Sequence, residues 1–301
     1  MQRFEQAAFY SPVITTFTPD GHVDFEAMAA HLQYVMQEGI DGVLIMGSIG
    51  EFYAISLDER IRLISLAKEV IGHRGKLLVG TSAMRYAEVV QLTQAACDAG
   101  VDGAVVLSPY YFPLSDTSIE AFYGDLAERF PGLRIYIYNF PDRTGYEIRA
   151  ETVRNLAVRF ANIVGIKDTV PGMEHTLELI RTVKPVREDF EIYSGFDNNF
   201  AANVRAGGSG CIAGLSNLAP QLCGQLAESL RQGDEVQVRR GMEQIEQLMD
   251  IYQVGIPFVP YIKKTVQLIN PQIPGIPAFP LLEATEEQTR IICRILKRIG
   301  R

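Results

Sequence analysis

Two side chains capable of covalent and proton-transfer chemistry stand near the ends of apolar runs. Lys167 ends NIVGIK, residues 162–167, and Tyr138 lies near the end of RIYIYN, residues 134–139. A lysine removed from water loses part of its preference for the charged form. The neutral amine attacks ketones to form a Schiff base, and a nearby phenol can carry protons to and from the adduct. In the alternative interpretation, the lysine extends from a strand end into solvent and the tyrosine packs in the core.

A glycine-rich segment, MGSIGEF at residues 46–52, suits the binding of an anion. Gly47 and Gly50 allow a sharp bend in which consecutive backbone N–H groups point to one side, and Ser48 adds a hydroxyl. A carboxylate fits such a seat. A phosphate loop is disfavoured because no lysine follows the glycines, and an ordinary turn that caps a helix is the alternative.

Other polar and aromatic residues allow more than one interpretation. Arg143, in PDRTG at residues 141–145, suits a forked contact to a substrate carboxylate, but it also suits a solvated loop. Tyr110 and Tyr111 either line a site or pack against neighbouring elements. The histidines show no metal-ligand spacing, so the sequence predicts no metal site. They are His22, His31, His73 and His175.

These residues need elements that bring them together. Short runs that are β-branched and apolar on both faces recur along the chain, which is typical of strands in a parallel sheet covered on both sides. The runs are PVITTF (12–17), GVLIMG (42–47), KLLVGT (76–81), GAVVLS (103–108), RIYIYN (134–139), NIVGIK (162–167), FEIYSG (190–195) and GCIAGL (210–215). Segments with helical periodicity, such as 57–72, 87–100 and 177–184, separate them. Eight strands alternating with helices predict a (β/α)8 barrel. An open doubly wound sheet is the alternative, but it normally carries a GxGxxG or GxxxxGKS turn, and neither is present.

The strand pattern stops after residue 216. Helical periodicity continues over 217–231, 234–254, 257–270 and 281–299, and the proline-rich NPQIPGIPAFP interrupts it at 270–280. The chain is therefore predicted to form a barrel that carries the active site, residues 1–225, and a C-terminal helical extension, residues 226–301. Reactive groups in such barrels stand at the C-terminal ends of strands, and neighbouring strands lie about 4.8 Å apart. Lys167 and Tyr138 should therefore converge at the barrel mouth.

Composition excludes several classes of function. The chain has 301 residues, 47% apolar and 21% charged, which is the balance of a soluble globular protein. A net charge of −8 argues against nucleic-acid and anionic-membrane partners. Four scattered cysteines without a CxxC pair predict free thiols in a reducing cytoplasm rather than disulfides or structural zinc. We find no signal-peptide pattern, and no apolar run approaches the ~18 residues that a membrane helix needs.

Taken together, the motifs resemble those of the dihydrodipicolinate synthase / N-acetylneuraminate lyase family, the pyruvate-dependent class I aldolases and lyases. GSIGE resembles the family's pyruvate-carboxylate loop, YNFP its tyrosine motif and GIKDT its Schiff-base lysine motif. The resemblance covers nearly the whole chain, and the three motifs in this order are specific as a set. It implies an enzyme without a cofactor in which Lys167 forms an imine with pyruvate or another 2-keto acid and Tyr138 carries protons.

The resemblance also implies positions that contact the substrate. Backbone N–H groups of Ser48 and its neighbour would hold the carboxylate, with the Ser48 hydroxyl linked to Tyr138. Tyr111 matches a tyrosine that in synthase-type members reaches a neighbouring subunit's site, as expected of a homotetramer built from two dimers. The remaining expected contacts are Gly47, Ile49, Arg143, Thr169, Gly195, Asp197 and Ile212.

The second substrate is left open by the resemblance. The synthases usually carry two threonines in a GTTGE loop, and here Ile49 replaces the second, whereas Arg143 matches the synthases' carboxylate-binding arginine. Sialic-acid lyases carry Asp-Glu where this chain has Asp197 and Asn198. The stretches PYYFPLS, YNFPDRTGYEI and VGIKDT look closest to 2-keto-3-deoxygluconate-type aldolases. The leading prediction is an aldolase that reversibly cleaves a 2-keto-3-deoxy sugar acid to pyruvate and an aldehyde. One alternative is a dihydrodipicolinate synthase that condenses pyruvate with aspartate semialdehyde. The other is a catalytically idle barrel that senses a keto acid.

Overall fold

Eight parallel strands close into a barrel in the computed structural model, which describes residues 3–37 and 39–299. Their order around the barrel follows the sequence, and the last strand pairs with the first. They are β1 (Ala8–Pro12), β2 (Gly42–Ile45), β3 (Lys76–Gly80), β4 (Gly103–Leu107), β5 (Ile135–Asn139), β6 (Ile163–Asp168), β7 (Glu191–Ser194) and β8 (Gly210–Ile212). Apart from the first residues of three strands, every strand position is buried. Because both faces are covered, the strands appear in the sequence as continuous apolar runs.

Helices alternate with the strands around the outside of the barrel. They are α1 (Phe25–Gln37), α2 (Leu57–Ile71), α3 (Tyr86–Asp98), α4 (Asp116–Arg129), the short α5 (Pro141–Thr144), α6 (Ala150–Arg159), α7 (Glu174–Val183) and α8 (Phe200–Arg205). Helix α2 shows how the sequence sets these elements. Its N-cap Ser56 and Glu59 form a reciprocal capping box, and residues such as Leu63 and Ala67 bury one face. The predicted (β/α)8 architecture is therefore confirmed.

The predicted position of the first strand was wrong. PVITTF at 12–17 is more apolar than the segment before it, yet β1 covers residues 8–12 because the paired edges of β2 and β8 lie there. Residues 13–17 continue as irregular buried chain whose polar groups find other partners. The Ile14 N–H donates to Asn217 Oδ1 at 2.9 Å, and the Thr15 hydroxyl donates to the Gly50 carbonyl at 2.7 Å. Burial rather than strand formation thus explains the apolar character of this run.

Tyrosine side chains fill the N-terminal part of the barrel interior. The Tyr136 hydroxyl donates to Glu191 Oε2 at 2.6 Å, and Tyr193 donates to the same oxygen at 3.2 Å. Room for the Tyr136 ring comes from Gly103 and Gly165, where an added Cβ would lie 2.7 and 2.8 Å from ring carbons. The barrel is therefore packed at this end, and the C-terminal ends of the strands are left to form a site.

A C-terminal helical extension packs against the barrel, as predicted. It contains α9 (Pro220–Gln232), α10 (Glu235–Met249), α11 (Val259–Ile269) and α12 (Glu286–Arg298), with a 3₁₀ turn at Asp250–Gln253. The helix predicted over 281–299 begins only at Glu286, where Thr285 caps it. The predicted boundary between residues 225 and 226 falls inside α9. No helix in the described part of the chain is long and apolar enough to cross a membrane.

Candidate active site

Lys167 and Tyr138 meet at the C-terminal mouth of the barrel. The two residues pair directly across β5 and β6, which places both side chains at the same level. Lys167 Nζ lies 3.2 Å from Tyr138 Oη and 4.3 Å from the centroid of the Tyr138 ring. The lysine is 4% exposed and the tyrosine 3%. The structure therefore brings together the two reactive groups that the sequence singled out, in a largely dehydrated position.

Ser48 extends this pair into a chain of three polar groups. Its Oγ lies 3.2 Å from Tyr138 Oη, so the lysine amine, the phenol and the serine hydroxyl are linked by hydrogen bonds. The loop that carries Ser48 turns sharply, with Met46 at φ 56° and Glu51 at φ 50°. Non-glycine residues rarely adopt this left-handed backbone, which indicates that the surroundings hold the loop in shape. An amine, a phenol and a hydroxyl in this arrangement can pass a proton along the chain.

A buried carboxylate next to the lysine fixes the end of β6. Asp168 Oδ1 accepts a hydrogen bond from the Asn139 side-chain amide at 2.8 Å and lies 2.9 Å from His175 Nδ1, while Thr176 donates to Oδ2 at 2.8 Å. Burial works against the charged imidazole, but the bond to Asp168 and its charge raise the pKa of His175 above the ordinary value. Strands β5 and β6 and helix α7 are thus tied together directly behind Lys167. This network holds the amine in position without touching the cavity.

A cavity of about 240 Å³ opens in front of these groups. Its walls come from most of the strand ends and from the C-terminal extension. The lining residues are Pro12, Ser48, Ile49, Tyr138, Phe140, Asp142, Arg143, Lys167, Thr169, Gly195, Phe196, Asp197, Ile212, Ala213, Gly214, Met249, Tyr252, Gln253 and Phe258. A pocket of this size suits a small organic acid.

Thr169 carries a buried hydroxyl beside the cavity that lacks a partner among the described residues. Its side chain is 7% exposed and lines the cavity, and within the described residues Oγ1 has no hydrogen-bond partner. Gly195 makes room for it, since an added Cβ there would lie 2.1 Å from Thr169 Oγ1. A buried hydroxyl without a partner is costly, so a ligand group that bonds to it gains affinity.

Asp197 is fully buried in the wall of the cavity. Its Oδ1 accepts the Leu215 N–H at 3.0 Å, and its Oδ2 accepts the Tyr252 hydroxyl at 2.8 Å. Burial raises the pKa of Asp197 to about 6, against these hydrogen bonds and the charge of Lys167, which favour the ionised form. Both carboxylate oxygens are therefore engaged by protein donors, and the group is ionised at neutral pH.

Of the remaining predicted residues, Ile49, Ile212 and Arg143 line the cavity, and Gly47 and Tyr111 do not. Ile49 and Ile212 line the cavity, and Gly47 lies in the loop beneath it. Arg143 is exposed at the mouth, where its guanidinium lies 5.0 Å from the Phe140 ring centroid and donates to the Asp142 carbonyl. Tyr111 is 76% exposed and does not line the cavity. Within one chain, Tyr111 is thus not brought to the lysine.

The sequence did not indicate that the C-terminal extension contributes to the site. Four residues of the extension line the cavity, although helix α9 and most of α10 separate them from strand β8 in the sequence. They are Met249, Tyr252, Gln253 and Phe258. Continuous helical periodicity over 234–254 masked the 3₁₀ turn that turns Tyr252 toward the barrel. The tyrosine's presence at the end of an amphipathic helix was the only available signal.

No group of three or more His, Cys, Asp or Glu side chains that could hold a metal occurs in residues 3–37 and 39–299. The histidines that lie in the interior have other partners. His175 contacts Asp168, and His31 Nε2 lies 2.9 Å from Asn217 Oδ1. Burial lowers the pKa of His31 to about 4, so its imidazole is neutral at pH 7.

Comparison with known proteins places this geometry in a family. The model of the Dihydrodipicolinate synthetase family matches residues 6–299. A probable 2-dehydro-3-deoxy-D-pentonate aldolase of Escherichia coli is 34% identical over 276 residues, which are 92% of this chain and 91% of that protein. A 4-hydroxy-tetrahydrodipicolinate synthase of Kosmotoga olearia is 34% identical over 224 residues, covering 74% of this chain and 75% of its own. The crystal structure of YagE, a prophage protein of E. coli belonging to the dihydrodipicolinic acid synthase family, in complex with pyruvate, superposes with a TM-score of 0.94. It is 30% identical, and the match covers 98% of both chains.

Proposed function

The chain belongs to the dihydrodipicolinate synthetase family, whose aldolases and lyases are class I pyruvate-dependent enzymes, and we propose that it reversibly cleaves a 2-keto-3-deoxy sugar acid to pyruvate and an aldehyde. The observation that carries the proposal is the hydrogen-bonded chain of Lys167, Tyr138 and Ser48 at a cavity that is also lined by Thr169, whose buried hydroxyl has no partner among the described residues. The first three groups suit the keto-acid half of the substrate, and the fourth suits a hydroxylated second half.

Cleavage begins when the neutral Lys167 amine attacks the C2 ketone. Tyr138, 3.2 Å from the amine, gives its proton to the departing hydroxyl group, so water leaves and a protonated imine and a tyrosinate remain; the imine draws electrons from the neighbouring bonds. Tyr138 accepts the proton of the C4 hydroxyl, the C3–C4 bond breaks, and its electron pair moves into the imine to form an enamine. The C4 carbon leaves as the aldehyde. A proton returned to C3 and hydrolysis of the imine release pyruvate and the free lysine.

The loop at residues 47–50 is proposed to hold the C1 carboxylate of the substrate. Ser48 and Ile49 both line the cavity, and consecutive backbone N–H groups in such a bend form good anion seats, which supports this proposal. The Ser48 hydroxyl, 3.2 Å from Tyr138 Oη, then connects the seat to the proton carrier. Binding the carboxylate here fixes the C2 ketone in front of Lys167, which converts the attack into an oriented, intramolecular step.

Polyhydroxylated substrates are favoured by the polar groups of the cavity. Thr169 offers an unpaired hydroxyl, whereas Asp197 places a negative charge in the wall that repels a second carboxylate. Arg143, the group that would attract such a carboxylate, is exposed at the mouth. The relative described as a probable 2-dehydro-3-deoxy-D-pentonate aldolase supports the same substrate class.

A dihydrodipicolinate synthase is the second candidate, and Arg143 is the observation that favours it. Its guanidinium borders the cavity and could fork onto the carboxylate of aspartate semialdehyde. The relative described as a 4-hydroxy-tetrahydrodipicolinate synthase shows that the family includes this reaction. A third alternative is a keto-acid sensor without catalysis. In such a protein, Lys167 would bind the keto acid, but no aldehyde would be condensed or released.

Two measurements test the proposal. The protein is incubated with pyruvate, reduced with borohydride and weighed by mass spectrometry. We expect a pyruvyl adduct on the wild type and none on Lys167→Ala. A panel of aldehydes is then offered with pyruvate, and specificity constants are compared. Glyceraldehyde should exceed aspartate semialdehyde. The opposite order would support the synthase, and trapping of pyruvate without condensation of any aldehyde would support the sensor.

Assembly into a homotetramer, as a dimer of dimers, is part of the proposal. Tyr111 and Phe112 are 76% and 72% exposed, and their rings pack against each other 4.9 Å apart at the mouth side of the barrel. Such aromatic exposure is typical of an interface, and Tyr111 could then reach a neighbouring site. Light scattering tests this, since a fully active monomer would contradict it. Cys97, Cys211, Cys223 and Cys293 form no disulfide within the described residues, which supports a reducing compartment that we propose to be the cytoplasm.

A further inference from the structure

The C-terminal extension places one hydroxyl in the wall of the cavity. Tyr252 lies in the 3₁₀ turn Asp250–Gln253, and its side chain lines the cavity beside Asp197. The Tyr252 hydroxyl donates to Asp197 Oδ2 at 2.8 Å, while Asp197 Oδ1 accepts the Leu215 N–H. Neither the (β/α)8 barrel nor the reaction at Lys167 requires a residue from this turn. Its position in the wall therefore calls for a function.

The surroundings of Tyr252 hold its hydroxyl in one place. The ring packs edge-on against Phe258, with centroids 5.2 Å apart and planes at 80°. Gly214 leaves the space that the hydroxyl occupies, because an added Cβ would lie 2.7 Å from Tyr252 Oη. The same Cβ would lie 2.4 Å from Ile49 Cδ1, so the tyrosine hydroxyl and the carboxylate loop crowd one point of the wall. A fixed polar atom of this kind can select among ligands.

The direction of the hydrogen bond decides what Tyr252 can recognise. With its proton committed to the Asp197 carboxylate, Tyr252 Oη can act only as an acceptor; the Gly214 backbone N–H takes one acceptor position, which leaves one lone pair for a ligand. A ligand hydroxyl can donate to it. A ligand carboxylate cannot, and it would also face the negative charge of Asp197 behind the tyrosine. The pair therefore suits a neutral ligand group that carries a proton.

We infer that Tyr252, positioned by Asp197, determines specificity by accepting a hydrogen bond from a hydroxyl on the aldehyde half of the substrate. The inference rests on the proposed function. In a 2-keto-3-deoxy acid, C1 is a carboxylate, C2 a ketone and C3 a methylene, so every hydroxyl lies at C4 or beyond. The C4 hydroxyl gives its proton to Tyr138. A hydroxyl at C5 or further is thus the group left for Tyr252.

The variant Tyr252→Phe tests the inference with a pair of matched aldehydes. Condensation with pyruvate is measured for glyceraldehyde and for propionaldehyde, which has the same three carbons and no hydroxyls. The wild type should prefer glyceraldehyde. In Tyr252→Phe, the ratio of the two kcat/KM values should fall about 10- to 100-fold, since the partner of a buried hydroxyl is lost. A ratio within about threefold of the wild-type value would overturn the inference.

Tyr261→Phe is the matched control. Tyr261 belongs to the same extension and its hydroxyl accepts a hydrogen bond from Gln288 Nε2 at 2.9 Å, but it does not line the cavity. Its removal should leave the aldehyde ratio unchanged. If Tyr252→Phe does not fold, Asp197→Asn replaces it. Asparagine keeps the side-chain size but weakens the hold on the tyrosine, so the ratio should again fall, and an unchanged ratio would again overturn the inference.

Failure of the inference and failure of the proposed function give different results. If wild-type protein traps pyruvate but prefers aspartate semialdehyde, the sugar-acid function is wrong and the inference falls with it. If the wild type prefers glyceraldehyde and Tyr252→Phe keeps that preference, the function stands and the role of Tyr252 is wrong. If the preference instead falls in Tyr252→Phe, 3-hydroxypropionaldehyde and lactaldehyde, each with one hydroxyl, identify which hydroxyl bonds to the tyrosine.

Discussion

The buried ion pair between Glu51 and Lys263 is predicted to hold the carboxylate-binding loop in its active shape. Both side chains are completely buried, and they join the loop after β2 to helix α11 of the extension. Glu51 Oε2 also accepts the Ala278 N–H at 2.9 Å, and Lys263 Nζ also donates to the Ile276 carbonyl at 2.9 Å. The substitution Lys263→Met keeps most of the stem of the side chain and removes the charge. Glu51 then remains buried with a single backbone donor.

The contacts set the size of the effect. Removing one partner of a buried pair typically costs about 3–5 kcal/mol, because the other charge is left without compensation. Complete burial of both groups places this pair near the upper end of that range. Burial already raises the pKa of Glu51 against the opposing charge of Lys263, and it lowers the pKa of Lys263 to about 8. Desolvation is thus a large part of the energy of this pair.

The cost should also depend on pH. Without the lysine, the folded-state pKa of Glu51 lies further above its unfolded value. A raised folded pKa contributes stability that is present at low pH and is lost as the pH rises through the folded value. The destabilisation by Lys263→Met should therefore be smaller at pH 5 than at pH 8. The loop should also hold pyruvate less well, so that KM for pyruvate rises.

Urea denaturation gives the free energy of unfolding of the wild type, Lys263→Met, Glu51→Gln and the double variant. The double variant should be more stable than the sum of the single losses predicts, because no buried charge remains. Lys264→Met is the control on the same helix. Among the described residues, Lys264 Nζ donates to Gln267 Oε1 at 2.9 Å and pairs with no carboxylate, so its loss should stay within about 0.5 kcal/mol. A cost below about 1 kcal/mol for Lys263→Met, or additive losses in the double variant, would refute the reasoning.

Three further predictions concern single groups. Tyr138→Phe should still form the imine with pyruvate, more slowly and with water as the proton donor, but lose about 10²- to 10⁴-fold in turnover, because the proton carrier is gone; a rate within about threefold of wild type in a steady-state assay would show that another group carries the proton. Gly195→Ala should lower kcat/KM at least about tenfold, since its Cβ would lie 2.1 Å from Thr169 Oγ1 and displace that hydroxyl; unchanged kinetics would mean that Thr169 makes no substrate contact. The pKa of His31 is lowered to about 4 from an ordinary 6.5, so its contribution to stability is fully present above pH 6.5 and is lost as the pH falls toward 4. This loss is about 3 kcal/mol, and the difference between wild type and His31→Gln in urea unfolding at pH 7 and pH 4.5 should show it; parallel pH dependences would contradict it.

Much of the barrel follows from the sequence because the signal is local. A strand buried on both faces needs a continuous apolar run, and this run can be recognised without knowing which strands pair with it. The ends of β5 and β6 can be aligned from such runs alone, which is why the amino-acid sequence by itself predicts that Lys167 and Tyr138 converge. β1 shows the limit. PVITTF is buried as strongly as a strand, but strand formation depends on paired edges from β2 and β8, and pairing is a long-range property.

The part of the site that the sequence did not reveal comes from the extension, and it has a different physical basis. Tyr252 and Phe258 reach the cavity because α10 ends in a 3₁₀ turn and α11 packs back on the barrel, so their positions depend on tertiary contacts rather than on periodicity. This division matters for function. The groups proposed to act on the keto acid stand on strand ends and on a loop joined to the extension by the Glu51–Lys263 pair, whereas the groups proposed to distinguish aldehydes stand partly on the extension. On this proposal, we expect changes in the extension to alter the choice of aldehyde while the reaction at Lys167 is retained.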